Sequence, residues 1–330
     1  MNSALCLCLL LPVAAVAQEK NAWEGKTVQE WIGQLSHHPN VSAIQDVALR
    51  WYAAYALGQL GAEAAEAVEP LVKILSSGME EGQYENEHLR GMAAWTLGRI
   101  GPKAAAAVPV LTAALVSRHR SVQRNAPRAL GAIGAAAAPA IPGLLKLLAQ
   151  GDDAEARVNA AVALWQIQRH PKAIPALTAM VREGKDPAAY QAADALGRLE
   201  ADAEAVAPPL IEALAAADAD VRRAAIQALG RLGAAATPAL KNALKASEPD
   251  VPRSAVEALG RIGAPAVPEL TAALKHRQAA VRRAAARALG RLGAAAKRAE
   301  PALVEAVNDA DRDVRDAAAK ALKSVRAESS

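Results

Sequence analysis

The chain carries the segment DVRRAAIQALGRLG at residues 220–233, and close copies follow at residues 250–263 (DVPRSAVEALGRIG) and 280–293 (AVRRAAARALGRLG). Looser copies extend the series toward both ends of the chain at comparable intervals. A period of about 30 residues, repeated this often, is typical of helical hairpins that stack into an array. The copies align on nine leucines, namely Leu57, Leu97, Leu130, Leu164, Leu196, Leu229, Leu259, Leu289 and Leu322.

The composition agrees with a helical array. Of the 330 residues, 52% are hydrophobic, with many alanines, while only 3% are aromatic and none is phenylalanine. Alanine has the highest intrinsic helix propensity and allows helices to approach closely. We therefore predict an all-α fold, an α-solenoid (superhelix) of about nine helical hairpins. Residues 18–65 form the predicted N-terminal capping unit, residues 66–326 the repeat array and residues 327–330 a disordered tail.

The N-terminal segment, residues 1–17, has the pattern of a signal peptide. Residues 5–13 are apolar, and Ala15-Val16-Ala17 has the small-x-small form of a cleavage site. We therefore expect an exported protein, periplasmic or extracellular, without a stable membrane span after cleavage; an uncleaved apolar first helix is the alternative. Both cysteines, Cys6 and Cys8, lie within this segment. Its removal would exclude disulfides and thiol chemistry together.

Each repeat has the same two parts. The second helix opens at Asp-x-Asp-Val-Arg or a relative, where aspartate can cap the free N–H groups. Two glycines near its end are expected to loosen and then stop this helix. The first helix is expected to open at a proline, which is tolerated in the first helical turn. These prolines are Pro70, Pro109, Pro142, Pro175, Pro209, Pro238, Pro268 and Pro301.

A proline-opened helix, a short turn, Asp-Val-Arg and then Ala-Ala-x-Ala-Leu-Gly-x-Ile/Leu-Gly resembles the HEAT repeat. The pattern is most similar to the short bacterial subclass related to the phycobilisome-lyase repeats, and it covers residues 26–326. The resemblance implies a solenoid, and HEAT arrays serve as scaffolds, adaptors, peptide binders and occasionally enzyme components. It also implies an alternative function, a lyase-like component that helps attach a bilin to a protein cysteine. The export signal and the lack of cysteine after Cys8 argue against that alternative.

Two places depart from the repeat. Residues 78–87 (GMEEGQYENE) insert a glutamate-rich loop, which we expect to be solvated. In the unit of Leu164, Trp165 and Gln168 stand where most other units have glycine, so the solenoid is expected to bend differently there.

The register of the repeat predicts an exposed ridge on the second helices. Positions six before, two before and two after the aligned leucine are four residues apart and share one helix face. In HEAT-like arrays the second helices line the concave face, so we expect the ridge to bind a protein or peptide of acidic character. The alternative is local packing of the aromatics and ordinary solvation of the arginines. The ridge residues are Trp51, Tyr55, Trp95, Arg99, Arg124, Arg128, Tyr190, Arg198, Arg223, Arg231, Arg253, Arg261, Arg283, Arg287 and Arg291.

A second set of arginines recurs seven positions before the leucine, beside the aspartates that open the helix. We expect these side chains to be structural and to form a ladder between stacked turns. They are Arg50, Arg90, Arg157, Arg222, Arg282 and Arg315.

No catalytic or cofactor-binding motif is present. The sequence has no Gly-x-Ser-x-Gly, no phosphate-loop lysine motif and no His-Glu-x-x-His, and we expect neither a cofactor nor a metal. The acidic run at residues 309–316 has the spacing of helix caps. Residues 271–299 contain eight lysines and arginines and no acidic residue, but the net charge is only +4 and no aromatic residue follows Tyr190 to stack on bases. These features argue against nucleic acid as the partner.

Overall fold

The computed structural model describes residues 22–77, 85–183, 187–199, 203–248 and 250–327. The predicted signal peptide, most of the predicted insertion and all but the first residue of the predicted disordered tail lie outside the described residues. Ala327, the first residue of that predicted tail, is the last residue of a helix.

The described residues form nine helical hairpins in tandem, which confirms the predicted all-α solenoid. The first helices of the hairpins are α1 (Val28–Gly33), α3 (Val68–Ser76), α5 (Val108–Ala114), α7 (Ile141–Gln150), α9 (Ala173–Glu183), α11 (Ala203–Ala213), α13 (Thr237–Ala243), α15 (Val267–Ala273) and α17 (Glu300–Ala306). The second helices are α2 (Ala43–Leu60), α4 (Glu85–Ile100), α6 (Arg120–Ile133), α8 (Ala154–Gln168), α10 (Pro187–Arg198), α12 (Ala219–Leu232), α14 (Asp250–Ile262), α16 (Ala279–Leu292) and α18 (Arg312–Ala327).

The core consists mainly of alanine and leucine. Eight of the nine aligned leucines have no exposed surface, and the last, Leu322, is 9% exposed. The valines eight positions earlier are also buried, as Val122 and Val281 illustrate with no exposed surface. The leucine register therefore marks the face on which each second helix packs into the array.

A small β-hairpin precedes the first helix. Strands β1 (Ala22–Trp23) and β2 (Lys26–Thr27) pair antiparallel. The turn between them has positive φ at both Glu24 and Gly25, as a tight two-residue hairpin turn requires. The indole N–H of Trp31 donates to the carbonyl oxygen of Trp23 at 3.2 Å, which ties the hairpin to α1.

The turn between α1 and α2 is held by one buried carboxylate. Asp46 is 4% exposed and accepts hydrogen bonds from the backbone N–H of His38 at 2.6 Å and from the imidazoles of His37 and His38 at 3.0 and 3.1 Å. Burial by itself would raise the pKa of Asp46, but these hydrogen bonds lower it to about 2. The carboxylate is therefore the favoured form inside the first hairpin.

A glycine recurs where one hairpin connects to the next. Where a second helix ends, a glycine such as Gly233 adopts φ 63°, a left-handed conformation that other residues rarely take. The fourth hairpin has Gln168 at this position, and the next residue, Arg169, has φ 54° while its guanidinium lies 4.9 Å from the Trp165 ring centre. The chain leaves α8 by a different turn, since ψ is 42° at Arg169 and −144° at Gly233. The other glycines at this position are Gly61, Gly101, Gly134, Gly263 and Gly293.

The glycines that follow the aligned leucine do not have the expected role of loosening the helix. A Cβ on Gly98 would lie 3.0 Å from the Cα of Ala129, and a Cβ on Gly290 would lie 3.0 Å from the Cα of Ala321. Neighbouring second helices therefore touch at these glycines. The prediction was wrong because the glycine serves packing between hairpins, which a single helix does not reveal.

Most first helices carry the predicted proline in their first turn. Most start one or two residues before the proline, as α3 does at Val68 ahead of Pro70. Helix α11 starts at Ala203 and contains both Pro208 and Pro209.

One continuous helical stretch in the described residues, Arg120–Gln150, is long and apolar enough to cross a membrane. It consists of α6, a 3₁₀ helix and α7, and the chain turns at Gly134, where φ is 77°. The stretch is therefore divided between the third and fourth hairpins.

Candidate partner-binding face

The ridge residues lie on consecutive second helices, each of which packs against the second helix of the next hairpin. In the C-terminal half, the members Arg223, Arg231, Arg253, Arg261 and Arg287 are exposed. The residues between them, such as the aligned leucines, are buried. The second helices therefore present one continuous row of side chains, which we call the second-helix ridge.

At its N-terminal end the ridge is an aromatic stack. The rings of Trp51 and Tyr55 are parallel within 2° at a centroid distance of 5.7 Å, and Tyr55 stacks on Trp95 at 5.8 Å and 11°. The guanidinium of Arg99 lies 5.8 Å from the Trp95 ring centre and donates to the Gly58 carbonyl oxygen at 3.3 Å. Each stacked pair contributes about 0.5–1.5 kcal/mol beyond its buried area. The stack therefore joins the first two hairpins.

A glycine makes room for this stack. A Cβ on Gly58 would overlap the Trp95 ring, so the indole lies directly against the backbone of α2. Beside it, the hydroxyl of Tyr52 donates to a Glu24 carboxylate oxygen at 2.7 Å. This hydrogen bond, followed by burial, raises the pKa of Tyr52 to about 12. Tyr52 extends the aromatic cluster beyond the residues that the register identified.

In the middle of the ridge, Arg124 binds carboxylates of the next hairpin. Its guanidinium Nε and Nη2 donate to the two carboxylate oxygens of Asp153 at 2.7 to 3.0 Å, and Nη1 lies 2.7 Å from Glu155. Asp153 also caps α8 by accepting from the Ala156 N–H at 2.9 Å. Burial would raise the pKa of Asp153, but the bonds from Arg124 and Ala156 lower it. This arginine is a structural link as well as a member of the ridge.

Most other ridge arginines also have an internal partner. Five more form ion pairs with nitrogen-to-oxygen distances of 2.5 to 3.3 Å. Arg128 lies 4.0 Å from Glu155. The side chains are largely exposed, so each pair contributes little stability. Each carboxylate offsets the positive charge beside it, and the single carboxylate of Asp194 is shared by Arg198 and Arg231. The five pairs are Arg198 and Arg231 with Asp194, Arg223 with Asp220, Arg253 with Glu257, and Arg283 with Asp313.

Three ridge arginines differ from the rest. Arg261, Arg287 and Arg291 take part in no hydrogen bond and no ion pair among the described residues. Lys320, two positions before the leucine in the last hairpin, is equally exposed and without such a partner there. A groove of about 500 Å³ between α16 and α18 is lined by the three cations Arg287, Arg291 and Lys320, by the two carboxylates Asp313 and Asp316, and by small residues. The positive charge of the ridge is therefore concentrated at its C-terminal end.

The six arginines of the predicted ladder bind main-chain carbonyls. Arg222 donates to the carbonyl oxygens of Ala216 and Ala217 at 2.5 and 2.6 Å, where the first helix of its own hairpin ends. Arg50, Arg90, Arg157 and Arg315 do the same within their hairpins. Among the six, Arg282 also reaches the next hairpin, through two 2.7 Å bonds to Asp309. These contacts replace the expected ladder between turns, because carbonyls at a helix end lack intrahelical partners and lie nearby.

Sequence reasoning missed a set of hydrogen bonds between hairpins. The amide of Asn125 donates to the Gly91 carbonyl oxygen at 3.0 Å, and that of Asn159 donates to the Arg124 carbonyl oxygen at 3.0 Å. The recurrence of asparagine was visible in the sequence, since both asparagines stand five positions before the aligned leucine.

The acidic run near the C-terminus caps a helix, as predicted. Asp309 accepts from the Asp311 N–H at 2.9 Å, and Asp311 accepts from the Val314 N–H at 3.1 Å. Across the described residues, no group of three His, Cys, Asp or Glu side chains is arranged to hold a metal ion.

Comparison with known families agrees with this geometry. The sequence profile of HEAT repeats matches residues 83–141, 141–230, 207–279 and 267–330, and that of the PBS lyase HEAT-like repeat matches residues 49–77. The chain belongs to the HEAT-repeat family. A comparison with curated protein sequences gave no significant match.

Solved structures of other HEAT-like solenoids are similar in fold. A mutant of Kap121p has a TM-score of 0.53 at 14% identity, over 90% of this chain and 37% of that one. The complex of CpcE and CpcF of phycocyanin lyase from Nostoc sp. PCC7120 has a TM-score of 0.48 at 24% identity, over 84% of this chain and 96% of that one. At these identities the likeness concerns the fold alone.

Proposed function

We propose that this HEAT-repeat chain is a non-catalytic scaffold or adaptor that binds another protein, or a peptide, along its second-helix ridge. The observation that carries the proposal is the ridge itself, which runs from an aromatic stack to a set of arginines that form no ion pair with the described residues. Aromatic and arginine side chains are the types enriched at protein interfaces and at their energetic hot spots. Membership of a family whose arrays often bind other proteins supports the same conclusion.

Site-specific photocrosslinking in the native cell tests this proposal. A photoreactive residue at Tyr190, which is 38% exposed on the ridge, should give a crosslinked product of defined mass. The matched control is Val304, which is 45% exposed but lies on α17, a first helix. Crosslinking from Val304 and none from Tyr190 would contradict binding at the ridge.

The match to the PBS lyase HEAT-like repeat at residues 49–77 supports a second candidate, a lyase-like component that assists the attachment of a bilin to a protein. Incubation with phycocyanobilin and an acceptor protein separates the two candidates. A scaffold leaves the bilin absorbance spectrum unchanged, whereas a lyase-like component shifts it and yields a covalent adduct.

We also propose that the protein is exported, acts in the periplasm or outside the cell, and has no stable membrane span once residues 1–17 are removed. The apolar run before Ala15-Val16-Ala17 supports this proposal. N-terminal sequencing of protein from the native cell should then begin at Gln18. An intact Met1 in the cytoplasmic fraction would contradict export.

A further inference from the structure

The unpaired cations of the ridge occupy equivalent positions on successive hairpins. Arg261 and Arg291 both stand two positions after the aligned leucine, on α14 and α16. Arg287 and Lys320 both stand two positions before it, on α16 and α18. These four cations, without an internal partner among the described residues, therefore form two short rows, Arg261–Arg291 and Arg287–Lys320, and each row advances by one hairpin.

Two of these side chains lie directly against a glycine of the preceding second helix. A Cβ on Gly230 would lie 2.8 Å from the Cβ of Arg261, and a Cβ on Gly260 would lie 3.1 Å from a terminal nitrogen of Arg291. Each arginine therefore lies over the preceding second helix, along the direction of the array. A side chain that is already positioned loses less conformational entropy when it binds a ligand.

The spacing of the cations constrains the shape of a ligand. Packed helices lie about 8–10 Å apart, so cations at equivalent positions repeat at about that distance. A polyproline II segment has three residues per turn and a rise of about 3.1 Å per residue, which places every third side chain on one side at intervals of about 9 Å. In a β-strand, residues three apart point to opposite sides. The two cations of each row therefore match acidic residues three apart in a polyproline II segment.

The surroundings favour discrete carboxylates over a continuous polyanion. Asp313 and Asp316 line the same groove as Arg287 and Arg291, and Asp250 and Glu257 line the groove beside Arg261. A phosphate backbone that follows the two rows would pass each of these carboxylates, whereas acidic residues at every third position leave neutral residues opposite them.

From these observations we infer that Arg261, Arg287, Arg291 and Lys320 form a docking site for an acidic peptide segment of a partner protein, bound as a polyproline II helix with Asp or Glu at every third residue. The inference rests on the proposed function and specifies the chemistry of the partner.

Fluorescence anisotropy with synthetic peptides tests the inference. The probe is a fluorescein-labelled peptide of four Glu-Pro-Pro repeats. The comparison peptide has the same composition but places its four glutamates together. We expect the full chain to bind the regular peptide about fivefold or more tightly than the rearranged one, and to bind both less tightly at high salt, because screening weakens exposed ion pairs.

Variants locate the site. Substituting Arg287→Gln together with Arg291→Gln should weaken binding of the regular peptide about tenfold, since two exposed ion pairs are lost. The control is Lys241→Gln with Lys245→Gln, which removes the same charge from exposed lysines of the α13 hairpin that lie off the ridge. The control should change binding by less than about twofold. Circular dichroism of each variant verifies the fold, and Lys320→Gln alone should weaken binding about threefold if the double variant is unfolded.

Three results would overturn the inference. They are equal affinity for the two peptides, an equal loss of binding in the lysine control, and displacement of the regular peptide by a thymidine oligonucleotide at lower concentration than by unlabelled peptide. If any of these occurs while Tyr190 still crosslinks to a partner, the acidic-peptide site is wrong and the proposed function stands. If Tyr190 fails to crosslink although the peptide preference holds, the ridge binds acidic peptides in isolation but the scaffold proposal is wrong.

Discussion

Replacing Gly197 by alanine should destabilise the array, although alanine is the better helix former. Gly197 lies in α10, where a Cβ would overlap the backbone of Ala228 on α12. Nonbonded carbon atoms rest about 3.5 Å apart, so α10 and α12 would have to separate by about 1 Å. Overpacking of this kind costs about 1–3 kcal/mol, and helix propensity returns at most about 1 kcal/mol. We expect the free energy of unfolding to fall by about 1–2 kcal/mol.

Urea denaturation followed by circular dichroism measures the change. Because each hairpin contacts mainly its neighbours, hydrogen exchange should locate the loss of protection at α10 and α12. The matched control is Gly33→Ala, since a Cβ there meets nothing within 4 Å. That variant should be unchanged or more stable by up to about 1 kcal/mol. A Gly197→Ala variant as stable as the Gly33→Ala variant would refute the argument that close approach of the second helices requires this glycine.

The pKa of Asp46 is lowered from 3.8 to about 2 on folding, so the stability that it contributes is complete above pH 3.8 and is lost as the pH falls through 2. We expect the first hairpin to lose about 2 kcal/mol of stability on acidification through this range. Hydrogen exchange measured against pH should show this loss in the unsubstituted protein and not in Asp46→Asn. Arg282→Lys removes the paired hydrogen bonds to Asp309 and should lower the unfolding free energy by about 1–2 kcal/mol in urea titrations, whereas an unchanged midpoint would show that a point charge suffices. Asn125→Ala leaves the Gly91 carbonyl without its side-chain donor and should cost about 1 kcal/mol, measured as faster exchange where α4 meets α6.

Some contacts of the candidate site follow from the sequence, although the sequence analysis did not predict them. The pairs Arg223–Asp220 and Arg253–Glu257 are three and four residues apart on one helix, so helical periodicity alone brings them together. The pairing of Arg124 with Asp153 could not be read in this way, because its partner lies on the next hairpin.

The role of the glycines after the aligned leucine could not be predicted from the sequence either. Their recurrence was visible in the sequence, but it was compatible with a flexible helix end as well as with close packing. The choice depends on which atoms of the next hairpin approach the glycine, such as the Ala129 backbone at Gly98 or the indole of Trp95 at Gly58. Lateral packing between hairpins, which lies outside the local pattern, fixes these neighbours.

The sequence by itself determined the repeat period, the leucine register, the order of helices and the face on which the ridge lies, because these follow from the 3.6-residue periodicity of single helices and from recurrence. Only the tertiary structure decided which ridge cations remain free. Arg283 and Arg287 lie one turn apart on α16 and look alike in the sequence, yet Arg283 is 2.5 Å from Asp313 while Arg287 faces the groove. The difference arises because stacking brings Asp313 of the next hairpin within ion-pair distance of Arg283, whereas Arg287 shares a groove with Asp313 and Asp316 but forms no ion pair among the described residues.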